Sequence, residues 1–435
     1  MFKTAFVQKF IIALNKLRFD FSIVKFLKLF KRLEVQVISS LILGTVVGCF
    51  FPEFVKNFFW MGDVFMKLLK VLLGPLLFFS VIIAILGLGD LNKLGNIGIR
   101  TLMYYVGTTI MAILTSLTLM NLFNPGSYTD IVFSEVANSS TKPANLSDFL
   151  IGIIPSNIMQ SFIDLNAIQI VVISILLGIS IMATKNKSHI NLVADVFNAI
   201  NNGILKFISY VIKLTPLGVF AIVAKVVTEN GVDSMGNMLP FVVIILLSLF
   251  IHAFITLPLV GYLFGKFNPF KYFMLIKEAL LLGFSTASSS ATMGLTMSVA
   301  KEKAKLNPDV VNFNIPLGTT INMNGTALYQ AGVALFVSQM VGAPLDFSQQ
   351  IIVIFIVVLA SIGAAGVPGA GMVILTTVFL TLGLPVEALL TIMAFDRILD
   401  MFRTSVNIWG DLITAKIVDN YYNKHLKSLM EKIID

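Results

Sequence analysis

The sequence predicts an all-α integral membrane protein with eight transmembrane helices and two re-entrant helical hairpins. Three observations carry this prediction. Of the 435 residues, 57% are hydrophobic and only 12% are charged. Long apolar runs recur along the chain, and two apolar segments have centres unsuited to a continuous helix facing lipid. Because a soluble domain carries about 25% charged residues, soluble, disordered and fibrous classes are excluded. The single cysteine, Cys49, allows no internal disulfide.

Residues 1–33 are predicted to be a basic amphipathic extension on the cytoplasmic membrane surface. Six Lys and two Arg against one Asp give residues 1–32 most of the net charge of +8. Apolar residues alternate with these bases, as in a helix that lies on an anionic bilayer. The extension lacks the apolar core and cleavage site of a signal peptide. We prefer membrane contact to nucleic-acid binding.

Six apolar runs are each long enough for the roughly 20 residues that cross a hydrocarbon core. These runs lie at 34–52, 64–89, 99–123, 150–183, 192–228 and 239–265. The fourth and fifth are longer than one span, and they are predicted to be tilted or broken near Pro155 and Pro216. If every run crosses once, Lys-bearing and Arg-bearing loops fall inside and acidic loops fall outside. Both termini are then cytoplasmic.

Two segments are predicted to enter and leave the membrane on one side. The first, about 270–304, has lysines on both flanks and a serine-rich centre at 285–292. The second, about 348–385, has a centre at 363–371 whose Gly and Pro residues oppose an uninterrupted helix. The spans that follow them are predicted near 309–341 and 387–415. This inverted pair of broken segments points to a transporter's substrate site.

The last span carries a row of polar residues along one helical face. The row consists of Asp396, Asp400, Arg403, Asn407 and Asp411, spaced three or four residues apart. A charge at the centre of a span costs about 2.5–3.5 kcal/mol, so this face must meet a polar cavity or partner groups. Ion pairing within the row is the alternative, but three Asp against one Arg are poorly neutralised. We therefore expect a ligand site.

The residue types in this row match the groups of an acidic amino acid. The planar guanidinium of Arg403 suits a carboxylate, and Asp400 one turn away suits an ammonium group. Asn407 and the backbone N–H groups of the serine-rich centre can hold a second carboxylate, helped by helix N-termini.

A Na⁺ site is predicted beside the same row. Asp411 and the carbonyl oxygens near Gly318, Asn322 and Asn407 are hard oxygen ligands suited to a small cation. The Asn and Gly residues at 322–326 weaken the helix there and free its carbonyl groups. Because the chain has no Walker motif, an ion gradient is the expected energy source.

Four motifs carry a resemblance to a known family. They are Ser288-Ser289-Ser290, the NMNGT of 322–326, the AGVPGAG of 365–371 and the run 396–411. Over about 34–420 the sequence strongly resembles the dicarboxylate/amino acid:cation symporter family, which includes the glutamate/aspartate transporters. The resemblance implies their elevator-type fold with inverted repeats, a homotrimer, and a multi-pass location in the plasma membrane. The short loops indicate a bacterial inner membrane.

The resemblance also implies a division into domains. A scaffold/trimerisation domain would comprise 34–97 and 124–236, and a mobile transport domain would comprise 98–123 and 237–420. The transport domain would slide across the membrane, with the glycine-rich hairpin as its outer gate. Residues 421–435 would form a cytoplasmic tail.

The family's binding residues carry over by position. Asp400 would bind the substrate amino group and Arg403 its side-chain carboxylate. The resemblance implies that the cradle is completed by Thr326, Thr404, Asn407 and the backbone around Ser288, Ser289, Val367 and Gly371. One Na⁺ would use Gly318, Asn322, Asn407 and Asp411. A second would use Thr320, Ser361, Ile362 and Ala364. A third would use Tyr105, Thr108, Thr109, Asn322 and Asn324.

Some positions depart from the family pattern. Position 324 is Asn where the motif usually has Asp, which removes a negative charge from the third cation site and leaves the number of coupled ions open. Gln330 stands where proton-coupled animal relatives carry Glu, which argues against proton cotransport through this position. Arg397 adds a cation beside Asp396, and the sequence indicates no role for it.

The hypothesis is a secondary symporter that takes up aspartate or glutamate with Na⁺, without an organic cofactor. The resemblance disfavours a C4-dicarboxylate carrier, because such relatives lack Asp at the position of Asp400. A carrier of cystine or another amino acid, or coupling to H⁺, is the alternative. An intramembrane aspartyl protease fits poorly, because a catalytic pair needs two carboxylates that approach each other and Asp396 and Asp400 sit beside an Arg on one helix. A passive channel would fail a concentrative uptake test.

Overall fold

The computed structural model describes most of the chain from residue 33 onward. The described residues are 33–71, 73–87, 96–128, 151–164, 166–184, 186–231, 236, 238–362, 371, 375–376, 378–379, 382–385 and 388–434. Within these ranges the regular structure is helical, with no strand, as the sequence predicts. The predicted basic extension to residue 32, the 129–150 loop and the glycine-rich 363–370 segment lie outside the described residues.

The first group of helices runs through the amino-terminal half. These helices are α1 (Leu33–Phe50), α2 (Pro52–Val55), α3 (Phe59–Val71), α4 (Leu73–Gly87), α5 (Asn96–Phe123), α6 (Ile158–Ile163), α7 (Ala167–Ala183), α8 (Lys187–Lys213) and α9 (Thr215–Asn230). Short 3₁₀ turns lie at Lys56–Phe58 and Pro125–Tyr128.

The carboxy-terminal half begins with α10 (Leu239–Ile251), which continues through a π-helical turn (His252–Thr256) into α11 (Leu257–Gly265). The remaining helices are α12 (Pro269–Thr286), α13 (Ser289–Glu302), α14 (Pro308–Ile321), α15 (Asn324–Met340), α16 (Phe347–Ile362) and α17 (Ala388–Ile434).

Long apolar helices are evident in the described part of the chain. Gly98–Ser127 and Leu239–Gly265 are long and apolar enough to cross a membrane. Lys187–Val211 and Thr215–Glu229, bent by 54°, add a third candidate if they form one span. The apolar parts of α1, α4, α7 and α16 are shorter. The predicted number of eight spans therefore stays a prediction.

The two predicted interruptions are present. The chain is not helical at Pro155, and α8 and α9 meet at Leu214, with Pro216 in the first turn of α9. Proline is tolerated there because the first N–H groups of a helix have no intrahelical partner. A further, unpredicted break separates α6 from α7. Asn166 starts α7 by accepting a hydrogen bond from the Gln169 backbone N–H at 3.3 Å.

The helices pack in two sets. In the first, α9 packs against α1 and α3, and α4 packs against α7 and α8. The α1–α9 contact is close, since a Cβ at Gly48 would lie 2.8 Å from the Ala224 carbonyl oxygen. In the second, the almost entirely buried α15 packs against α5 and α17. Because α9 also touches α17, the division into a scaffold and a mobile domain stays a prediction.

The last helix runs beyond residue 415, so that residues 421–434 of the predicted tail are helical; the end of the span near 415 and the cytoplasmic tail stay predictions. Helix α17 continues to Ile434, because no Gly or Pro follows Gly410 to end it. Beyond residue 415, α17 is hydrogen-bonded to the segment between α13 and α14 and to the end of α11. Asp419 accepts a hydrogen bond from the Asn307 N–H at 2.8 Å, and Asn420 donates one to the Gly265 carbonyl at 2.7 Å.

Candidate substrate and cation site

Helices α12 and α13 form a helical hairpin with a two-residue connection. Ala287 adopts a left-handed conformation with φ of 49°. Ser288 then caps α13, its Oγ accepting a hydrogen bond from the Ala291 N–H at 3.1 Å. Ser288 and Ser289 are both buried. The helical break is thus much shorter than the predicted 285–292 centre, because one capping serine is enough to start the second helix. Entry and exit on one membrane side stay a prediction.

This hairpin packs against α17 beside the polar row. Ser405 donates a hydrogen bond to the Leu280 carbonyl at 3.0 Å. A Cβ at Gly283 would lie 3.6 Å from Thr404 Cγ2 and would collide with the Ile408 side chain. The absence of a side chain at Gly283 therefore lets the hairpin approach Thr404, one of the predicted substrate residues.

The predicted weakening of the helix at 322–326 is confirmed as a break between α14 and α15. Asn322 and Met323 are non-helical. Asn407 on α17 bridges to the start of α15, because its Oδ1 accepts a hydrogen bond from the Gly325 N–H at 2.8 Å and its Nδ2 donates to Thr326 Oγ1 at 3.3 Å. The predicted substrate residues Thr326 and Asn407 are thus adjacent and bonded to each other.

The centre of the row is an ion-paired cluster. Arg403 Nη2 lies 2.8 Å from Asp400 Oδ1 and 2.9 Å from Asp396 Oδ1. Arg403 is completely buried, and both aspartates are buried. Ion pairing within the row, the alternative to a ligand site, is therefore present for these three residues. Asp411 has no part in these ion pairs, so the row keeps an excess of negative charge.

Tyr329 completes this cluster. Its ring lies over the guanidinium, 4.0 Å from the Arg403 Cζ atom, and its hydroxyl hydrogen-bonds to Asp396. Tyr329 was not among the predicted site residues, and Asp396 was predicted only as a member of the polar row, without a binding role. A signal was available, because Tyr329 lies one helical turn after Thr326 on a helix that faces the polar row. Arg403 Nε and Nη1 have no hydrogen-bond partner within the described residues.

Gly371 also lies at this cluster, and its role in a gate stays a prediction. A Cβ there would lie 3.6 Å from Arg403 Nη1 and 3.2 Å from Thr326 Cγ2. Its carbonyl accepts a hydrogen bond from Gln330 Nε2 at 3.1 Å. Val367, the other gate residue that the sequence predicts, lies outside the described residues.

The residues predicted for the first Na⁺ site lie around Asp411. Asp411 Oδ1 accepts a hydrogen bond from Asn322 Nδ2 at 2.8 Å. Its Oδ2 is buried and has no hydrogen-bond partner among the described residues. Gly318 lies so close that a Cβ would be 2.6 Å from Asp411 Cγ and 2.7 Å from the Tyr105 hydroxyl. A buried carboxylate oxygen without a donor fits a cation ligand.

The residues predicted for the third Na⁺ site also come together. Thr109 Oγ1 donates to Asn324 Oδ1 at 2.8 Å, and Thr108 Oγ1 lies 3.5 Å from Asn322 Oδ1. The Tyr105 hydroxyl donates to the Asn314 carbonyl at 2.7 Å. Asn324 Nδ2 is buried without a hydrogen-bond partner in the described part of the chain.

The side chains predicted for the second Na⁺ site are not brought together as those of the first and third sites are. Helices α14 and α16 are in contact. However, Thr320 Oγ1 donates to its own helix at the Leu317 carbonyl, and Ser361 Oγ donates to the Val358 carbonyl. Ala364 and the Ile362 side chain lie outside the described residues. Within the described ranges, no group of three or more His, Cys, Asp or Glu side chains is placed to hold a metal ion.

Comparison with known proteins identifies the family of this sequence. The sequence model of the sodium:dicarboxylate symporter family matches residues 33–421. The chain is 30% identical to a C4-dicarboxylate transport protein of Bacillus subtilis (strain 168), over 92% of this chain and 95% of the relative. It is 31% identical to a proton/sodium-glutamate symport protein of Bacillus caldotenax, over 90% of this chain and 94% of the relative. A proton/glutamate-aspartate symporter of Escherichia coli (strain K12) is 29% identical over 89% of this chain and 92% of the relative. On the strength of a match that covers nearly its whole length, the chain belongs to the sodium:dicarboxylate symporter family, a family of membrane transporters.

Proposed function

We propose that this symporter takes up the acidic amino acids aspartate and glutamate and is driven by Na⁺. The observation that carries the proposal is the buried pairing of Arg403 with Asp400 at 2.8 Å. These two side chains, three residues apart on α17, offer one positive and one negative partner side by side. An acidic amino acid presents an ammonium group to Asp400 and a side-chain carboxylate to Arg403, whereas a C4-dicarboxylate offers no cation to Asp400.

Binding of such a substrate would exchange ion-pair partners. The substrate ammonium group would pair with Asp400. The substrate side-chain carboxylate would accept hydrogen bonds from Nε and Nη1 of Arg403, which have no hydrogen-bond partner in the described chain. Asp396 and Tyr329 would remain in contact with the Arg403 guanidinium during this exchange. An exchange of this kind avoids leaving a buried charge uncompensated, which would cost about 3–5 kcal/mol.

The charge balance supports coupling to cations. Three carboxylates, Asp396, Asp400 and Asp411, stand against the single guanidinium of Arg403 along the row, and an acidic amino acid adds a net negative charge. Burying that charge beside Asp411 is unfavourable unless a cation enters with it. The buried Asp411 Oδ2, which lacks a hydrogen-bond donor, supplies the carboxylate ligand for one Na⁺. Na⁺ would supply positive charge next to the substrate site.

The proposal extends to the assembly and the transport movement. We propose that the protein forms a homotrimer. We propose further that it lies in a bacterial plasma membrane with both termini cytoplasmic. Helices α1–α4 and α6–α9 would form the scaffold, and α5 with α10–α17 would move as the transport domain. The close α1–α9 packing and the buried α15 core support two internally compact sets of helices.

Uptake by the purified full chain in proteoliposomes tests this function. Labelled aspartate is supplied with an inward Na⁺ gradient, with choline replacing Na⁺ as the control, and with an inward H⁺ gradient in a separate series. Excess unlabelled glutamate, succinate and cystine are the competitors. We expect Na⁺-dependent concentrative uptake that glutamate suppresses and that succinate and cystine leave unchanged.

Each alternative has its own outcome. Uptake of labelled succinate that aspartate does not compete would overturn the acidic amino acid assignment in favour of a C4-dicarboxylate. Cystine uptake that neither aspartate nor glutamate affects would overturn it in favour of a different amino acid. Full activity in choline with an H⁺ gradient would overturn the Na⁺ coupling alone.

A further inference from the structure

Two neighbouring apolar cavities lie on an exposed face away from the polar row. The first, of about 830 Å³, lies between α11 and the start of α12 and is lined by Tyr262, Lys266 and Phe270 among others. The second, of about 740 Å³, lies between α10, α12 and α17. Phe254 in the π-helical turn lines both. Together they form one groove, which we name the α12 groove.

The α12 groove is apolar along most of its length. Phe250, Leu281 and Phe402 line its second cavity and are 58%, 63% and 38% exposed. Leu263 and Phe270 line the first and are 56% and 60% exposed. A soluble partner is not needed to cover such residues in a membrane transporter, because lipid chains cover them.

The groove is longer than the hydrocarbon thickness of one lipid leaflet. Its lining on α12 runs from Phe270 to Phe284, which spans about 21 Å at 1.5 Å per residue. One leaflet contributes about 15 Å to the hydrocarbon core. The groove is therefore long enough to hold an acyl chain together with the start of its headgroup.

Two lysines give the groove a positive charge. Lys266 lines the first cavity and Lys277 lines the second, and both are exposed. Neither forms a salt bridge with any described residue. Glu278, the acidic residue next to Lys277, is instead paired with Lys303 at 2.6 Å. The positive charge of both lysines is thus left for a ligand.

One wall of the groove is fixed in place. The Trp409 indole N–H donates a hydrogen bond to the Ala253 carbonyl at 2.9 Å, within the π-helical turn. The Trp409 ring also meets the Phe273 ring edge-on, with 5.6 Å between ring centroids. The second cavity is therefore bounded by residues of α17, α12 and the π-helical turn that contact one another.

We propose that the α12 groove binds an anionic phospholipid. Its phosphate would be held by Lys266 and Lys277, and an acyl chain would lie along the aromatic and aliphatic lining. A basic residue near a membrane surface contributes about 1 kcal/mol toward an anionic lipid, or roughly fivefold in affinity. The two lysines together should therefore favour an anionic over a zwitterionic headgroup by about 25-fold.

Native mass spectrometry of the full chain tests the headgroup preference. The purified protein is exchanged into detergent with phosphatidylglycerol or phosphatidylcholine, and retained lipid is counted. The double variant Lys266→Gln/Lys277→Gln removes the proposed contacts. Lys271→Gln is the matched control, because Lys271 is an exposed lysine on α12 that lines neither cavity.

Retention of phosphatidylglycerol by the wild type and by Lys271→Gln, and its loss from the double variant, is the expected result. Equal retention by the double variant, or equal retention of phosphatidylcholine by the wild type, overturns the proposal. A phosphatidylglycerol with a photoactivatable acyl chain supplies an independent measurement on the wild type. Crosslinks within 246–284 and 402–409 are expected, whereas crosslinks elsewhere, or between two copies of the chain at this groove, overturn it.

Discussion

The guanidinium carbon of Arg403 lies 4.0 Å from the centroid of the Tyr329 ring. Asp400 and Asp396 contact the same arginine through Nη2, so the ring and the two carboxylates together restrict its position. The Nε and Nη1 atoms are the part of the guanidinium without a hydrogen-bond partner in the described chain. Tyr329 thus orients the group that we assign to the substrate carboxylate.

Replacing Tyr329 with Leu should weaken aspartate binding by about 5- to 30-fold, because a desolvated cation–π contact contributes roughly 1–2 kcal/mol. Tyr329→Phe keeps the ring and removes only the hydroxyl that bonds Asp396, so its loss should be smaller. Isothermal titration of purified protein at saturating Na⁺ measures both. Equal affinities for Leu and Phe variants would show that the ring does not hold Arg403.

Replacing Arg403 with Cys should abolish binding of aspartate and glutamate, because the donors for their side-chain carboxylate are lost. Arg403→Lys keeps the charge but not the planar fork, and it should bind aspartate weakly. Competition by serine checks whether the Cys variant accepts a neutral amino acid. Because Asp396 and Asp400 lose their partner in the Cys variant, thermal unfolding is measured in parallel. An unchanged glutamate affinity in either variant contradicts the assigned role.

Replacing Gly318 with Ala should impair Na⁺ binding, because the added methyl group would lie 2.6 Å from Asp411 Cγ. Such crowding in a packed interior costs about 1–3 kcal/mol. Gly107→Ala on α5 is the matched control, because a Cβ there meets nothing within 4 Å. The readout is the Na⁺ concentration that half-saturates aspartate binding. The account of this cation site is wrong if both alanine variants behave alike.

Replacing Asn324 with Asp should steepen the Na⁺ dependence of aspartate binding and raise the apparent Na⁺ affinity. The buried Asn324 Nδ2 presents hydrogen atoms, which repel a cation, whereas a carboxylate would supply oxygen and charge. Thr109, which donates to Asn324 Oδ1, can donate equally to Asp. Aspartate binding titrated against Na⁺ gives the Hill slope. An identical slope and midpoint would refute this explanation of the third site.

Periodicity and composition predicted much of the helical framework. The interruptions near Pro155 and Pro216 were predictable because proline lacks the N–H that a continuing helix needs. The break before Asn324 was predictable from its Asn and Gly residues. The break at Asn166 was missed, because an Asn in an apolar run is recognised as a cap only when its backbone geometry is known. The continuation of α17 to Ile434 follows from the absence of Gly and Pro after Gly410.

The proposed site was only partly predictable for a similar reason. The spacing of Asp396, Asp400, Arg403, Asn407 and Asp411 placed them on one face of α17. Tyr329, the partner of Arg403 and Asp396, comes from α15, far away in the chain. No local pattern relates such distant positions, because the contact between two helices depends on how their whole surfaces pack.

The sequence by itself determined the class of protein, because a chain with 12% charged residues cannot cover a soluble surface, and because a charged row inside an apolar helix requires polar partners. It also determined which residue types meet the substrate and ions in our proposal. The tertiary structure alone decided which partners those charges take. Arg403 binds two of the three aspartates, and Asp411 binds Asn322 instead, because the packing of α14, α15 and α17 sets the distances over which ion pairs and hydrogen bonds can form.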